Sequence, residues 1–370
     1  MGYEVVAPPS SKGFMKIAII LGTRPEIIKM SPVIREFVKR KVDFFILHTN
    51  QHYSPNMDEV FFKNLALPPA KYNLNTQESL HGKMTGRMLE AIEAILLTEK
   101  PDWTLVEGDT NSVLAGALAS CKIGIKVGHI EAGLRSYDTT MPEEINRVLT
   151  DHVSSALFCP TRTQADILHR EGVKAEKIHI TGNTIVDAVK QNLLLTSSSK
   201  LMSVKTEERY MLLTLHRPSN VDNQAQLERL INSLEKLSES LDLPIYFPTH
   251  PRTETRLKEY GITSRLERIK MLPPVDYLQM LTLEQKAQLI LTDSGGVQEE
   301  ACILHVPCLT LRDNTERPET VEVGANVLCS GDPDEVLREA KRMLNIPKDW
   351  DNPFGDGHTA ETICDILLKI

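Results

Sequence analysis

Long apolar runs, leader-peptide patterning and metal-ligand spacings are all missing from this sequence, and each absence removes a class of function. No stretch approaches the length of a membrane span, and the opening residues, MGYEVVAPPSSKGF, lack the apolar core of a secretory leader. The chain is therefore expected to be soluble and cytoplasmic. Its 6 cysteines (Cys121, Cys159, Cys302, Cys308, Cys329, Cys364) form no CxxC pair and no CxxC-plus-His spacing, which argues for reduced, buried thiols rather than zinc or disulfides. No His, Asp and Glu combination has metal-ligand spacing and there is no GxSxG elbow, so neither a metal nor a serine nucleophile is expected. There is also no GxGxxG after the first strand and no GxxxxGK[ST] anywhere, which leaves a dinucleotide cofactor and a P-loop unsupported. Positive charge is in deficit: the formal net charge of -8 argues against nucleic acid or an anionic membrane as the main partner. A polyanionic ligand would need a few well-placed cations.

What is present is a βα rhythm. A chain of 370 residues is too long for one comfortable core and points to two domains. Residues 1–14, with Pro8 and Pro9, are expected to be a flexible extension. From Lys16 the run KIAIILG meets Thr23-Arg24-Pro25-Glu26 and then a segment with helical spacing, Pro25 being tolerated in a first turn. The pattern repeats through DFFILHTNQH with a helix near 56–64, a helix from His81, WTLVEGDT with a helix from Asn111, IKVGHIEAGLR with a helix opened by Met141-Pro142, then ALFCPT and KIHITGN. Such alternation implies a parallel sheet covered on both faces. The serine-rich segment Leu195 to Glu208 is the expected linker, beyond which strands recur at YMLLTLH, PIYFPTH, IKMLPP, QLILTD and PCLTL. The fold class is therefore α/β, two doubly wound Rossmann-like domains spanning 15–190 and 191–357. Their sheets are expected to face a shared cleft.

Polar clusters sit in the loops after strands, where parallel sheets bind ligands. Ser294-Gly295-Gly296 opens a helix with bare backbone and suits a phosphate, although an ordinary serine cap would look the same. Arg24, Lys29, His216 and Arg317 are candidate donors to a diphosphate held there, with an ion pair to Glu316 or Glu319 as the alternative for Arg317. Asp109, Glu131 and Glu143 bring carboxylates from three loops of the first domain. Inversion at a C–H centre needs acid/base groups on both faces of one carbon, and such a set supplies them. For Glu143 and its neighbour Glu144, compensation of the helix dipole after Pro142 is the simpler role.

Taken together, GTRPEIIKMSP, GDT, HIEAGLRS, MPEEINR, TGNTIVDA, LTDSGGVQEEA and RDNTERPETVEVG make the chain closely similar to the non-hydrolysing UDP-N-acetylglucosamine 2-epimerases from Lys16 to Gly357. The resemblance implies a glycosyltransferase-B type fold whose C-terminal helix, 358–370, packs back on the first domain. It also implies a homodimer and a UDP-sugar substrate, with no cofactor. It assigns acid/base work to Asp109, Glu131 and Glu143, stabilisation of departing UDP to His216, and nucleotide-sugar contacts to Arg24, Lys29, Ser294, Gly295, Gly296, Glu300 and Arg317. The implied reaction interconverts UDP-N-acetylglucosamine and UDP-N-acetylmannosamine through a 2-acetamidoglucal. A glycosyltransferase, or an epimerase for another UDP-acetamido sugar, is the alternative. Met280 stands where many bacterial members carry an aromatic residue. In the loop that forms a regulatory nucleotide-sugar site in those members, Gln51 and His52 fit the pattern, whereas Tyr53 and Ser54 depart from it.

Overall fold

The computed structural model describes residues 15–50, 61–76, 78, 80–198 and 206–370. The expected extension 1–14, Gln51 to Ser54, the start of the expected helix near 56–64 and much of the expected linker lie outside the described residues. The chain divides into two compact units, one running to Thr184 with His358–Ile370 added, the other Ile185–Gly357.

The first unit is built on a parallel 7-stranded sheet. Its strands are β1 (Lys16–Leu21), β2 (Asp43–His48), β3 (Tyr72–Asn73), β4 (Trp103–Glu107), β5 (Lys126–Ile130), β6 (Ala156–Cys159) and β7 (Ile178–Ile180), in the order β3-β2-β1-β4-β5-β6-β7. Helices α1 (Arg24–Arg40), α2 (His81–Glu99), α3 (Asn111–Lys122), α4 (Pro142–Val153) and α5 (Arg162–Arg170) follow their strands. Ile17 to Leu21 are completely buried, as a strand covered on both faces must be. The edge strand β3 is absent from the sequence reading because it is only a two-residue pairing with Leu47 and His48.

Helix α6 (Thr184–Ser198) begins at the last residue before the second unit and runs into the segment expected to be linker. The parallel 6-stranded sheet of the second unit contains β8 (Met211–Thr214), β9 (Ile245–Pro248), β10 (Ile269–Leu272), β11 (Leu289–Thr292), β12 (Cys308–Thr310) and β13 (Asn326–Leu328), ordered β10-β9-β8-β11-β12-β13. Helices α7 (Pro218–Val221), α8 (Gln224–Leu241), α9 (Pro251–Glu259), α10 (Tyr277–Lys286), α11 (Gly295–Ile303), α12 (Pro318–Glu322) and α13 (Pro333–Met343) lie between and after them. Along β8 the two-residue period sorts side chains into two layers: Met211 and Leu213 join the core with Leu230 and Leu234 of α8, while Leu212 joins Tyr246, Val297 and Ala301.

The last helix, α14 (Thr359–Leu367), returns to the first unit. It buries Ala360, Ile363, Cys364 and Leu367, and Arg40 of α1 reaches Asp365 at 2.5 Å. That pair is half-exposed and screened by solvent, so apolar burial holds the helix. Five cysteines are buried as expected, but Cys121 is exposed near the end of α3. Among the described residues no helix is long and apolar enough to cross a membrane.

In both sheets the chain reverses direction beside its first strand. β1 lies next to β4, and β8 next to β11. The loops at the carboxyl ends of those pairs are the natural ligand positions. Gly22 shows how tightly the first is built: a Cβ there would stand 1.8 Å from the Ser112 Oγ and 2.6 Å from the Thr49 Oγ1. Replacing Gly22 with Ala is expected to cost about 3 kcal/mol in chemical denaturation, with part of the loss recovered by adding Ser112→Gly. A Gly22→Ala protein as stable as the parent would refute the close crossing.

Candidate active site

At the end of β1, Thr23 is extended and Pro25 starts α1, so Glu26 falls in the first turn with its carboxylate turned back to accept the Gly22 N–H at 2.5 Å. Glu26 is only 2% exposed. Burial pushes it up to about 7; the Thr110 hydroxyl, the Gly22 N–H and the Thr23 hydroxyl beside it oppose that, and the Asp109 charge adds to it.

At the end of β4, Gly108 takes a left-handed φ of 83°, which turns Asp109 toward α4. There the Arg147 guanidinium donates to Asp109 Oδ2 at 2.8 and 3.1 Å, and Asn146 Nδ2 donates to the Asp109 carbonyl at 2.9 Å. The other side of Arg147 contacts Glu144. Glu144 also accepts the N–H groups of Ser136 and Tyr137 at 2.9 and 3.0 Å, tying the loop before α4 to the helix. Glu143, the preceding residue, is exposed in the first turn.

At the end of β5, His129 is a brace. Its Nδ1 meets Asp151 Oδ1 at 2.7 Å and its Nε2 meets the Gly108 carbonyl at 2.8 Å. Asp151 also accepts Arg135 Nη1 at 2.7 Å and Gly133 N at 3.2 Å. Burial would raise this carboxyl, but His129 and Arg135 outweigh it and hold Asp151 below the ordinary range. Glu131, two residues past His129, has a left-handed backbone with φ 68°, a costly conformation for a residue with a side chain. Its carboxylate contacts Lys29 Nζ, which stands 3.6 Å from Glu107 Oε1. Lys29 is thus engaged with carboxylates of its own unit. Burial drives Glu107 well above the carboxylate range; Lys29 opposes this, and Glu131 and Glu26 reinforce it.

The second unit presents a different chemistry. Asp293, completely buried after β11, accepts His216 N at 3.1 and 3.2 Å, Arg217 N at 3.0 Å and Asn220 Nδ2 at 3.2 Å. Its Oδ1 also lies 3.1 Å from His216 Nδ1, which leaves Nε2 as the ring's outward atom. Burial would raise Asp293, but His216, Arg217 and Asn220 together keep it low and ionised. The N-cap Ser294 makes no side-chain cap bond and the first turn of α11 has no acidic residue. A Cβ on Gly296 would meet nothing within 4 Å, and one on Gly295 would meet only Glu316 Oε2 at 3.8 Å. The bare helix start is therefore open, as an anion seat requires.

Around it stand two ion pairs, one of them with a partner the sequence reading does not name. Arg317 pairs with Glu299 of α11 through Nε at 2.6 Å, and Arg312 takes Glu316 at 2.8 Å. The Arg317 pairing is tertiary, because α12 packs beside α11, whereas Arg312 and Glu316 are four residues apart. Glu300 is buried near Glu284 of α10, whose carboxyl is driven well above its ordinary range by burial and then by Glu300. Met280 packs against the apolar cluster that contains Tyr210 and Val297. Arg24 is exposed, with its guanidinium 5.8 Å from the Phe61 ring centroid.

A family model described as UDP-N-acetylglucosamine 2-epimerase matches residues 35–368. The chain belongs to that family. It is 55% identical over 361 residues to a Methanococcus maripaludis protein named UDP-N-acetylglucosamine 2-epimerase, covering 95% of this chain and 98% of that one. It is 41% identical to a Pseudomonas aeruginosa UDP-2,3-diacetamido-2,3-dideoxy-D-glucuronate 2-epimerase, covering 96% of this chain and 100% of that one. The crystal structure of the Methanocaldococcus jannaschii UDP-GlcNAc 2-epimerase in complex with UDP-GlcNAc and UDP superposes with a TM-score of 0.88 at 54% identity, covering 96% of this chain and 100% of that one.

For this 2-epimerase family member, sequence reasoning left out Asp293, Arg147, Glu26 and Glu107. All four stand inside the quoted motifs or polar clusters, but their partners are distant in the chain. The one signal available is position, since each lies at a strand end or in the first turns of the following helix. Glu26 yields a test of sign. Its native value of about 7 exceeds the ordinary 4.5, so its stabilising contribution is full below 4.5 and is lost as pH rises to about 7. Unfolding free energy measured by denaturant titration is expected to fall by about 3 kcal/mol across that window through this group, and Glu26→Gln is expected to remove that part of the slope. Parallel pH profiles for parent and variant would contradict the buried, protonated carboxyl.

Proposed function

We propose that this protein interconverts UDP-N-acetylglucosamine and UDP-N-acetylmannosamine by eliminating UDP and adding it back. The observation that carries the reading is the division of chemistry within a chain of this family: carboxylates at the strand ends of the first unit, and an Asp293-oriented His216 beside the open start of α11 in the second. The C2 proton of the sugar has no carbonyl next to it, so it becomes removable only as the C1–O bond stretches and positive charge develops on the ring. Stabilising the departing diphosphate therefore lowers the barrier more than a stronger base would.

In this mechanism a carboxylate from the set Asp109, Glu131 and Glu143 takes the C2 proton. The C–H electrons form the C1=C2 bond, and the C1–O electrons leave with UDP. The amides of Ser294 to Gly296, with Arg24 and Arg317, receive the diphosphate charge, and His216 donates from Nε2 to the leaving oxygen. Donors of this kind, fixed in advance, are each worth roughly 3 kcal/mol in a water-poor site. Glu300 accepts the ribose hydroxyls. Lys29 keeps Glu131 charged, a role its ion pair supports better than a phosphate contact does. UDP then attacks C1 of the 2-acetamidoglucal while C2 receives a proton on its other face. The same reading makes the enzyme a cytoplasmic homodimer without a cofactor, acting on a UDP-sugar for polysaccharide assembly, as family membership implies.

Incubation with UDP-N-acetylglucosamine in deuterated water, followed by NMR, is expected to give deuterium at C2 in a mixture of gluco and manno nucleotide sugars and no free sugar. Recovery of intact unlabelled substrate would refute the assignment for this sugar. Release of free N-acetylmannosamine would show that UDP is not retained.

A further inference from the structure

Glu107 stands beside Glu131 in a carboxylate pair, and the family reading has a use for Glu131 but none for Glu107. Glu107 ends β4, and its register partner Ile130 ends β5, one residue before Glu131. Gly108 N donates to the Ile130 carbonyl at 3.1 Å, so the two strand ends stay joined beneath the acids. The side chains of Glu107 and Glu131 are 2% and 3% exposed, and that of Lys29, the ammonium between them, is 12% exposed. Lys29 contacts Glu131 directly and stands 3.6 Å from Glu107.

Among the described residues, the charges around the pair do not balance a second anion. From α1 come Lys29 and Glu26, the latter itself a buried acid. From the loop after β4 comes Asp109, whose countercharge is Arg147 of α4. From β5 comes His129, committed to Asp151 and the Gly108 carbonyl. One ammonium shared by two carboxyls in a dry setting neutralises one of them, and the other has to keep its proton. Direct contact gives Lys29 to Glu131.

Resting on the epimerase reading above, we propose that Glu107 is a positioning residue for the reaction: it remains protonated, donates a hydrogen bond to the Glu131 carboxylate, and with Lys29 keeps Glu131 ionised as the base that meets C2. Through this arrangement Glu131 stays a carboxylate despite its burial. When Glu107 loses its proton at high pH, two buried anions compete for one ammonium and Glu131 loses both its donor and part of its countercharge. An alkaline limb of the rate profile then belongs to Glu107, a residue that does not touch the substrate.

The test compares kcat/KM against pH for C2 deuterium exchange in the parent enzyme, Glu107→Gln and Glu107→Leu. Glutamine keeps a neutral donor and cannot ionise. This variant is expected to retain exchange within roughly tenfold near neutral pH and to lose the parent's alkaline limb. Leucine removes the donor, so Glu131 is harder to keep ionised; the acid limb is expected to move to higher pH and the rate to fall well below that of the glutamine variant. A second readout needs no turnover: the infrared difference spectrum of parent minus Glu107→Gln is expected to contain a protonated-carboxyl stretch. A Glu107→Gln profile that superimposes on the parent, a glutamine variant as inactive as the leucine one, or a difference spectrum showing an ionised carboxylate would overturn the proposal. Absence of exchange in the parent enzyme would instead refute the epimerase reading itself, and the infrared result would still judge Glu107.

Discussion

A carboxylate withdrawn from water must be given donors or a proton, and that requirement shapes the functional ends of both sheets. Leaving an ionised carboxyl unsatisfied in a protein interior costs several kcal/mol, more than most single contacts return. Asp293 and Asp151 meet the requirement with donors. Asp293 collects the backbone N–H groups of His216 and Arg217 and the Asn220 amide, and Asp151 collects His129, Arg135 and the Gly133 N–H. Each stays ionised, and each fixes a loop that would otherwise be free to move. Glu26, Glu107 and Glu284 meet it with a proton, burial raising all three above the carboxylate range.

The two solutions have different uses. An ionised, donor-saturated aspartate is rigid, and it orients whatever donates to it; in the second unit that is the imidazole of His216 beside the open helix start. A protonated glutamate can exchange its proton, and a cluster of them near Asp109 and Glu131 is suited to moving protons. The fold makes both arrangements possible at equivalent places, since the strand pairs β1/β4 and β8/β11 mark the points where each sheet changes winding direction. In the proposed reaction the donors oriented by Asp293 serve the leaving group, and the acids near Asp109 and Glu131 serve the carbon.

Much of this was legible in the sequence, for a physical reason. Strands buried on both faces read as continuous apolar runs, so KIAIIL and QLILTD announce themselves, and the loops after them are the candidate site before any geometry is known. The short strands Tyr72–Asn73 and Asn326–Leu328 were not legible because pairing with a neighbour, rather than composition, makes them strands. Charge partnerships were equally hidden. For Arg317, read as a diphosphate donor with Glu316 or Glu319 as the alternative partners, spacing gives no hint of Glu299, which it meets because α12 rests against α11. Lys29, grouped with the phosphate donors from its place one turn into the first helix, contacts Glu131 and stands 3.6 Å from Glu107. Glu107 stands in plain view beside the GDT motif, but nothing local distinguishes an acid that needs a proton from one in solvent.

The proposed chemistry depends on UDP breaking away from C1 and being kept in place by its donors until it adds back. Substrate carrying oxygen-18 in the bond between C1 and the β-phosphorus tests this most directly. A released, retained diphosphate can turn about its β-phosphorus, so the label is expected to appear in non-bridging positions of recovered UDP-N-acetylglucosamine as epimerisation proceeds. Epimerisation at C2 with the label held entirely in the bridging position would contradict the account.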